Sequence, residues 1–378
     1  MRILWVTRSF LDYRIPVYRE LKALSGGDFR LIFNSDYVPN TVVEKAQKTL
    51  GDSCIGLDGE FTIGYKDTTI LNANAGLRIP FQPKLIKIIK SYKPHVIVSD
   101  GFFQWTYAAL WMRLFYGVPH LMCYERTLHT ERNAQWYRKF YRKFVSKWID
   151  AICCSGTQCT EYVRSLNFKK PITQGHMVAD VSFFLQEERK INLLDLHSNP
   201  KDIKYLYVGR IVDAKGISEL LDAWNTFQKN KSVVLYLIGD GPQKCFYEKK
   251  CEGYKSENVY FLGKVEYDKL PAYYQSADLF IIPTLEDNWS LVVPEAMASG
   301  LPILSSIFNG CYPEYVTKNN GWIFNPLDRQ NFIKKLNESY KNKNIKEMKK
   351  NSIKIIKNHT PKEAALNIYK TIDLICSN

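Results

Sequence analysis

The chain has 378 residues, a length that suits two domains of ordinary size better than a single core. Hydrophobic residues make up 46% and charged residues 24%, which is the balance of a globular protein and excludes a disordered one. The formal net charge is +14, and residues 1–190 hold 27 Lys and Arg against 17 Asp and Glu. This basic first half favours either an anionic partner (a phosphorylated ligand, an anionic membrane surface or a nucleic acid) or a lysine-rich surface without such a role.

The cysteines and the apolar runs predict a cytoplasmic protein. The nine cysteines are an odd number without a C-x-x-C spacing, and Cys123, Cys153 and Cys154 fall in apolar runs, as reduced core thiols do. Residues 2–6 read as a strand rather than as the start of a signal peptide. The nearest approach to a membrane span, Trp105–Tyr116, is well short of the ~20 residues required, so any membrane contact is predicted to be peripheral.

Short apolar runs alternate with amphipathic stretches through the first half of the chain. This alternation predicts a parallel sheet that is covered by helices on both faces. The predicted strands are Ile3–Val6, Arg30–Phe33, Val96–Val98, Leu121–Tyr124 and Ala151–Cys154, and the predicted helices are Pro16–Leu24 and Pro83–Tyr92.

The same alternation starts again near residue 203, after the polar stretch Glu187–Lys204, which reads as a linker. The predicted strands are Tyr205–Val208, Val233–Ile238, Val259–Leu262 and Leu279–Ile282, and the predicted helices are Ile217–Trp224, Leu270–Gln275, Val292–Ala298 and Gln330–Leu336. We therefore expect an N-terminal domain over residues 1–190, a C-terminal domain over 200–355, and a helix over 356–378 that packs back toward the first domain.

Each domain is predicted to be a Rossmann-like, doubly wound α/β unit. Ligands of such sheets bind beyond the carboxyl ends of the strands. Two facing units would place the active site in the cleft between them.

Two glycine-containing turns follow predicted strands of the second half. The first contains Gly209, Arg210, Lys215 and Gly216, after which a helix begins. Glycines permit close backbone approach, a helix start offers free N–H groups, and Arg and Lys pair with phosphates, so this turn suits a diphosphate. The alternative is a connecting loop with two surface cations. Gly239 opens the second turn, which a plain loop would explain equally well.

A third turn is more informative because it is acidic. Residues 279–302 read LFIIPTLEDNWSLVVPEAMASGLP: a strand, a turn with Glu286 and Asp287, and a helix that contains Glu295 and ends at Gly300. Carboxylates accept hydrogen bonds from sugar and ribose hydroxyls, and a helix start receives phosphate oxygens. Glu295 as a structural capping group is the alternative, but an acidic turn directly after a buried strand favours a binding role.

Together the three turns resemble the donor domain of glycosyltransferase family 4, whose members are retaining enzymes with the GT-B fold. The resemblance covers residues 200–330 well and is fainter at residues 92–98 (YKPHVIV) and 116–119 (YGVP). The family's Glu-x7-Glu signature aligns its second Glu with Glu295 and its first with Asp287, so a shorter carboxylate stands where Glu is usual. The resemblance implies a GT-B fold and a nucleotide-sugar donor, a UDP-sugar or a GDP-sugar.

The resemblance also implies a role for each matching residue. Asp287 would contact the hydroxyls of the donor sugar, Glu295 would hold the ribose, and Arg210 with Lys215 would bind the diphosphate. The other implied donor contacts are Gly209, Gly239, Gly263, Lys264, Asn288, Trp289, Ser290 and Leu291.

Polar residues that follow strands of the first half are the candidates for the acceptor side. Arg8, Ser9 and Arg14 come after the first strand, where the family often has a Gly-Gly turn, and Asp100 comes at the end of the strand that begins at Val96.

Glu125, Arg126 and His129 follow the strand Leu121–Tyr124, where the family often has a histidine. Glu125 lies nearest that position, and His129 is a candidate to replace the histidine in its role, so both are predicted to be catalytic. The alternative is a solvated loop.

No metal and no other cofactor is expected, since the sequence has no Asp-x-Asp and no His, Cys or acidic cluster with metal spacing. Arg210, Lys215 and helix dipoles would neutralise the leaving diphosphate. The resemblance implies retention of the anomeric configuration. The acceptor is expected to be a glycan or a lipid-linked molecule in cell-surface polysaccharide or lipopolysaccharide synthesis.

The segment Trp136–Trp148 reads WYRKFYRKFVSKW, with aromatics on one half of a helical wheel and five cations on the other. One interpretation is an interfacial helix that docks on anionic lipid. The other is a helix that buries its aromatic face against the sheet and leaves its Lys/Arg face in water. The direct continuation into the strand Ile149–Cys154 favours the second.

Two further functions are compatible with such a two-domain fold, those of a nucleotide-sugar epimerase and of a glycan phosphorylase. A nucleic-acid-binding protein is disfavoured by the acidic turn at Glu286 and Asp287, and no nucleic acid partner is expected.

Overall fold

The computed structural model describes residues 1–64, 78–185, 199, 201–254, 256 and 258–377. The chain divides into two compact units: unit 1 comprises residues 1–178 and 361–378, and unit 2 comprises residues 179–360. The sequence places the first boundary later, at residues 190–200, and most of its predicted linker lies outside the described residues.

Unit 1 is built on a seven-stranded sheet in the order β3-β2-β1-β6-β7-β8-β9, in which all neighbouring strands are parallel, with a separate antiparallel hairpin of β4 and β5. Its strands are β1 (Ile3–Val6), β2 (Phe29–Asn34), β3 (Cys54–Leu57), β4 (Phe61–Gly64), β5 (Arg78–Phe81), β6 (Val96–Asp100), β7 (His120–Tyr124), β8 (Ala151–Cys154) and β9 (Ile172–Gln174). Its helices are α1 (Ile15–Leu24), α2 (Asn40–Leu50), α3 (Leu85–Tyr92), α4 (Thr106–Tyr116), α5 (Trp136–Val145), α6 (Thr157–Ser165) and the last helix of the chain, α14 (Pro361–Cys376).

Both faces of this sheet are buried, as the apolar runs predict. Ile3 and Trp5 pack into a core with α1, α2 and α14, whereas Leu4 and Val6 point the other way and pack with α3 and α4. Successive strand residues point to opposite faces, so a strand that is covered on both sides must be apolar throughout. The buried cysteines of β7 and β8 are free thiols in these cores.

Unit 2 is built on a second, six-stranded parallel sheet in the order β12-β11-β10-β13-β14-β15. Its strands are β10 (Ile203–Val208), β11 (Val233–Ile238), β12 (Val259–Gly263), β13 (Leu279–Ile282), β14 (Ile303–Ser306) and β15 (Gly321–Phe324). Its helices are α7 (Ile217–Phe227), α8 (Lys244–Gly253), α9 (Leu270–Ser276), α10 (Val292–Ala298), α11 (Tyr312–Tyr315), α12 (Arg329–Tyr340) and α13 (Ile345–Ile356).

Each sheet has one point at which its strand order reverses. In unit 1 the chain leaves β1 toward β2 and later returns to the other side of β1 as β6. In unit 2 it leaves β10 toward β11 and returns to the other side of β10 as β13. The connections that leave two such neighbouring strands run apart, which opens a crevice beyond their carboxyl ends where ligands of doubly wound sheets bind.

The favoured prediction for the segment Trp136–Trp148 is wrong in its division of faces. The helix α5 does pack on the sheet through Val145, but Arg138 and Arg142 are its other buried residues, and Phe140 is exposed. The arginines face inward because a buried carboxylate, Glu131, lies within 2.6 Å of Arg142. A helical wheel shows which residues share a side of the helix. Which side is buried depends here on a carboxylate that lies outside the helix, Glu131.

In the described part of the chain, no helix combines the length and the apolar character that crossing a bilayer requires.

Candidate active site

The reversal point of unit 2 brings together the turn after β10 and the turn after β13. The carbonyl oxygen of Ala214 accepts hydrogen bonds from the backbone N–H groups of Leu285 (2.9 Å) and Glu286 (3.1 Å) and from the hydroxyl of Thr284 (3.1 Å). These bonds join two turns that are 70 residues apart in sequence. They fix the positions of Lys215 and of the acidic turn relative to each other.

Lys215 and Asp287 form an ion pair across this junction, through a direct contact between Nζ and Oδ2. The carboxylate of Asp287 also accepts hydrogen bonds from the hydroxyl of Ser290 (2.6 Å) and the backbone N–H of Trp289 (3.1 Å). Both charged side chains are largely shielded, with 25% of Lys215 and 14% of Asp287 exposed. Asp287 therefore has a positioning role within the protein: its carboxylate holds the ammonium group of Lys215 at the turn.

Close backbone approach at the junction requires glycine at residue 216. Gly216 has φ of +68°, and a Cβ atom there would lie 2.1 Å from the carbonyl oxygen of Pro283, at the end of β13. Any other residue would push the two turns apart. Gly216 also directly precedes α7, whose positive N-terminal end adds to the charge of Lys215.

The other residues that follow strands of unit 2 and are predicted to contact the sugar donor lie along the same edge of the sheet. Gly209 and Arg210 follow β10, Gly239 follows β11, and the backbone N–H of Gly239 donates a 2.8 Å hydrogen bond to the carbonyl of Gly263 at the end of β12. The side chain of Arg210 is exposed and makes no salt bridge with any described residue. Lys264 is also exposed. Arg210 is thus available to a ligand, whereas Lys215 is held by Asp287.

Oδ1 of Asn288, a buried polar atom in the acidic turn, lacks a hydrogen-bond partner within the described structure. The ring of Trp289 packs edge-on against Tyr315, 5.3 Å away between ring centres. Most buried polar atoms in folded proteins are paired with protein, water or a bound group. Leu291, the last of the four consecutive residues from Asn288 that are predicted to contact the donor, directly precedes α10.

Glu295 lies in α10 and is buried, with its carboxylate accepting a 3.1 Å hydrogen bond from the hydroxyl of Tyr274. Burial, together with the negative charge of Glu295, raises the pKa of Tyr274 well above its usual range, so that this hydroxyl remains a donor.

The reversal point of unit 1 opens into a cavity of about 530 Å³. Five of the residues predicted for the acceptor side line it: Ser9, Arg14, Asp100, Glu125 and Arg126. Arg8 and His129 are not among its lining residues. Arg8 instead pairs with Glu60 at 2.7 Å, and the carbonyl oxygen of His129 accepts a hydrogen bond from Arg132.

Arg14 and His176 are two buried polar residues that line this cavity. Arg14 is buried and lies 3.4 Å from Asp100 and 3.1 Å from Nδ1 of His176. Arginine can only donate, so Nδ1 accepts, while Nε2 donates to the carbonyl of Tyr124 at 2.9 Å. Burial, with a further contribution from Arg14, lowers the pKa of His176 to about 3. The imidazole is therefore neutral and orients the guanidinium of Arg14.

A second group of charges lines the wall of the cavity that α5 forms. Glu131 lies between Arg142, at 2.6 Å, and Arg126, at 3.7 Å. Arg138 and Arg142 lie over the ring of Phe103, 5.1 Å and 5.3 Å from its centre. The cavity wall is thus rich in guanidinium groups whose positions are fixed by a carboxylate and an aromatic ring.

Other residues that the sequence did not indicate also line the cavity. The additional polar or aromatic residues include Tyr13, Tyr37, Phe103, Glu131, Arg138, Arg142 and His176. The spacing of Arg138 and Arg142, one helical turn apart in a segment whose other cations are lysines, was a usable signal, because arginine is preferred in buried ion pairs.

Two doubly wound units, each with polar side chains gathered at its reversal point, define a Rossmann-like α/β protein with a phosphate-suited turn in unit 2. Residues 189–359 match the family model for glycosyl transferases group 1, and residues 45–175 match the model for glycosyltransferase family 4. The chain belongs to the glycosyltransferases that these two models together describe.

Similar proteins agree with this assignment. The chain is 32% identical over 284 residues to the sulfoquinovosyl transferase of Arabidopsis thaliana, a match that covers 69% of the chain and 52% of the plant protein. It is 31% identical over 121 residues to the alpha-monoglucosyldiacylglycerol synthase of Acholeplasma laidlawii, which covers 32% of the chain and 30% of that protein. The chain thus spans about half or less of the length of these relatives.

Solved structures show that the fold is GT-B. The Anabaena protein HepE, crystallised in complex with UDP, superimposes with a TM-score of 0.75 at 13% identity, over 99% of this chain and 100% of that one. The predicted fold class is therefore confirmed.

Proposed function

We propose that the protein is a retaining glycosyltransferase that moves a sugar from a nucleotide-sugar donor to a hydroxyl group of a glycan or lipid-linked acceptor. The observation that carries this proposal is the junction at Ala214, which places Lys215 and the turn at Asp287 together beyond the ends of β10 and β13. HepE, which has the same fold, binds UDP. We infer that the donor is a UDP-sugar or a GDP-sugar.

The diphosphate of the donor would lie between Arg210, Lys215 and the N-terminal end of α7. Arg210 makes no salt bridge within the described residues, and its guanidinium can bind two phosphate oxygens at once. Lys215 would share its ammonium group between the diphosphate and Asp287. Oδ1 of Asn288 can accept a hydrogen bond from a hydroxyl of the sugar, and Glu295 is the candidate for the ribose.

The transfer itself would need positive charge rather than a protein nucleophile. The oxygen of the acceptor hydroxyl bonds to the anomeric carbon while the bond from that carbon to the diphosphate oxygen breaks. The hydroxyl proton passes to an oxygen of the departing phosphate. Arg210, Lys215 and the helix dipole stabilise the charge that develops on the leaving group, so we infer that no metal is required.

The cavity of unit 1 is the candidate acceptor site. Four arginines line it (Arg14, Arg126, Arg138 and Arg142) against three carboxylates (Asp100, Glu125 and Glu131). This excess suits an acceptor that carries a phosphate or another anionic group beside its reacting hydroxyl.

Glu125 is the cavity carboxylate that we propose to contact the reacting hydroxyl. His129, which lies outside the cavity lining, stays a prediction from the sequence.

We propose a role in cell-surface polysaccharide or lipopolysaccharide synthesis, at the cytoplasmic face of a membrane, with peripheral contact. The name of the Acholeplasma relative specifies a lipid product, and the basic charge of residues 1–190 fits an anionic surface.

The product is expected to keep the anomeric configuration of the donor, because attack and departure take place on the same face. Proton NMR of the purified product reads this configuration from the coupling at the anomeric position. An inverted centre contradicts the proposed mechanism, and loss of transfer on treatment with EDTA contradicts its independence of metal.

One nucleoside diphosphate among UDP, GDP, CDP and dTDP is expected to raise the thermal midpoint of the protein, since binding to the folded state stabilises it. Arg210→Met should weaken that binding about tenfold or more, as expected for a lost charge-assisted hydrogen bond. Lys249→Met, which removes an exposed lysine of α8, is the matched control and should bind as the wild type does. If none of the four nucleotides shifts the thermal midpoint, the assignment of the donor site is wrong.

Asp287→Asn removes the charge that holds Lys215 and leaves an oxygen that can still accept from Trp289. We expect kcat to fall by roughly 10²-fold or more, while the affinity for the nucleoside diphosphate changes less than about tenfold because Arg210 remains. Steady-state kinetics and a binding titration separate the two effects.

The control for this variant is Glu252→Gln, a change to an exposed carboxylate of α8 in the same unit. An Asp287→Asn enzyme with near wild-type kcat would show that this carboxylate has no role in transfer.

A further inference from the structure

The helix α5 exposes large aromatic side chains while it buries arginines. Trp136 is 79% exposed, Phe140 is 65% exposed and Phe144 is 49% exposed. They lie one turn apart in a single row, and a neighbouring row carries exposed lysines. We call these two rows the aromatic–lysine face: Trp136, Phe140, Phe144, Lys139, Lys143 and Lys147.

The outward orientation of this face is fixed from the other side of the helix. Arg142 is bound to Glu131 at 2.6 Å, and both side chains are almost fully buried. Turning the aromatic row inward would pull Arg142 away and leave Glu131 as a charge in the interior without that partner, which is strongly unfavourable. The aromatic row is therefore held in the solvent.

The exposed aromatics are ordered into one surface. The rings of Phe140 and Phe144 are nearly parallel with centres 6.4 Å apart, and Phe144 meets the ring of Trp148 edge-on at 5.0 Å. The ammonium group of Lys147 lies 5.7 Å from the centre of the Phe144 ring. A neighbouring helix, α4, also exposes apolar side chains.

The exposed residues of α4 are Trp111, Leu114, Phe115 and Tyr116. The helix α4 contacts the turn that follows α5, and Arg113 of α4 is paired with Asp150 beyond that turn at 2.7 Å. Because α4 and α5 connect β6 to β7 and β7 to β8 in the same direction along the sheet, right-handed crossovers place them on one face of it.

The charge of the aromatic–lysine face indicates which kind of partner it would suit. Residues 136–148 contain five Lys and Arg and no Asp or Glu. The three lysines of the aromatic–lysine face make no salt bridge with any described residue. Aromatic rings that insert at the depth of lipid headgroups, flanked by lysines that reach anionic phosphates, are the pattern of a helix lying in a membrane interface. A second copy of the chain that docked through the same face would present the same positive charge and be repelled.

We propose that the aromatic–lysine face docks unit 1 on a bilayer that contains anionic phospholipid. The inference extends the peripheral contact in the proposed function, and it concerns a surface distinct from both ligand sites. Vesicle binding needs neither donor nor acceptor. A protein that fails to bind vesicles could therefore still be stabilised by a nucleoside diphosphate, and a protein that binds no nucleotide could still bind vesicles.

The experiment compares co-sedimentation of the full chain with vesicles of phosphatidylcholine alone and of phosphatidylcholine mixed with phosphatidylglycerol. We expect binding to the mixed vesicles, and we expect added salt to weaken it. Replacing Lys139, Lys143 and Lys147 together by Gln should reduce binding about a hundredfold, at about fivefold for each lysine near an anionic surface. The double variant Phe140→Ser, Phe144→Ser should also lose binding, because it removes the inserting rings.

The matched controls lie in unit 2. Phe246→Ser changes an aromatic side chain that is 62% exposed, and replacing Lys341, Lys343 and Lys346 together by Gln removes the same charge. Both should bind as the wild type does, and all variants should keep the wild-type thermal midpoint because the side chains are exposed.

Equal binding to the two kinds of vesicle, or no binding to either, would overturn the proposal. So would variants of the aromatic–lysine face that bind as the controls do. A change of oligomeric state in those variants without a change in vesicle binding would assign the face to protein association instead.

Discussion

The candidate donor site depends on one junction, in which the carbonyl of Ala214 accepts hydrogen bonds from the turn after β13 while Lys215 pairs with Asp287. The sheet brings β10 and β13 side by side, and these contacts join the loops beyond them. Gly216 makes the approach possible, because a side chain there would collide with the end of β13. The cations and the acidic turn can then act on one ligand although the chain separates them.

The junction also gives a physical meaning to the short carboxylate at residue 287. The resemblance to family 4 implies a sugar contact at this position. In the structure the carboxylate is occupied by Lys215, Ser290 and the backbone of Trp289. It therefore positions the lysine that would bind the diphosphate. The unpaired amide oxygen of Asn288 is the better candidate for a direct contact with the sugar.

The strands, and the gathering of the candidate donor residues at one edge of the second sheet, could be predicted from the sequence because both depend on local pattern. Apolar runs predicted β1, β8 and β11 with their observed bounds, and polar turns after strands must meet at one edge of a parallel sheet. The lining of the unit 1 cavity was predicted less completely. Tyr37 and His176 enter the cavity from parts of the chain that carry no motif, and Arg8 is drawn away by Glu60. Such contacts depend on tertiary neighbours that a single sequence does not show.

The helix α5 shows how the basic excess of the first half is divided. Its arginines lie inside, where a planar guanidinium can bind a carboxylate and stack on a ring, and its lysines lie outside, where a hydrated ammonium group is favoured. The inner side contributes to the candidate acceptor cavity, and the outer side forms the aromatic–lysine face. In the proposed function, one segment would therefore contribute to both anionic contacts, with the acceptor and with the membrane.

The central claim is that the junction of unit 2 binds the nucleoside diphosphate of the donor. Hydrogen–deuterium exchange of the full chain, measured with and without UDP, GDP, CDP and dTDP in turn, tests it most directly. The account predicts that one nucleotide slows exchange in peptides covering residues 209–217, 239–243 and 286–292. Protection confined to unit 1, or none in these peptides with any of the four, would contradict it.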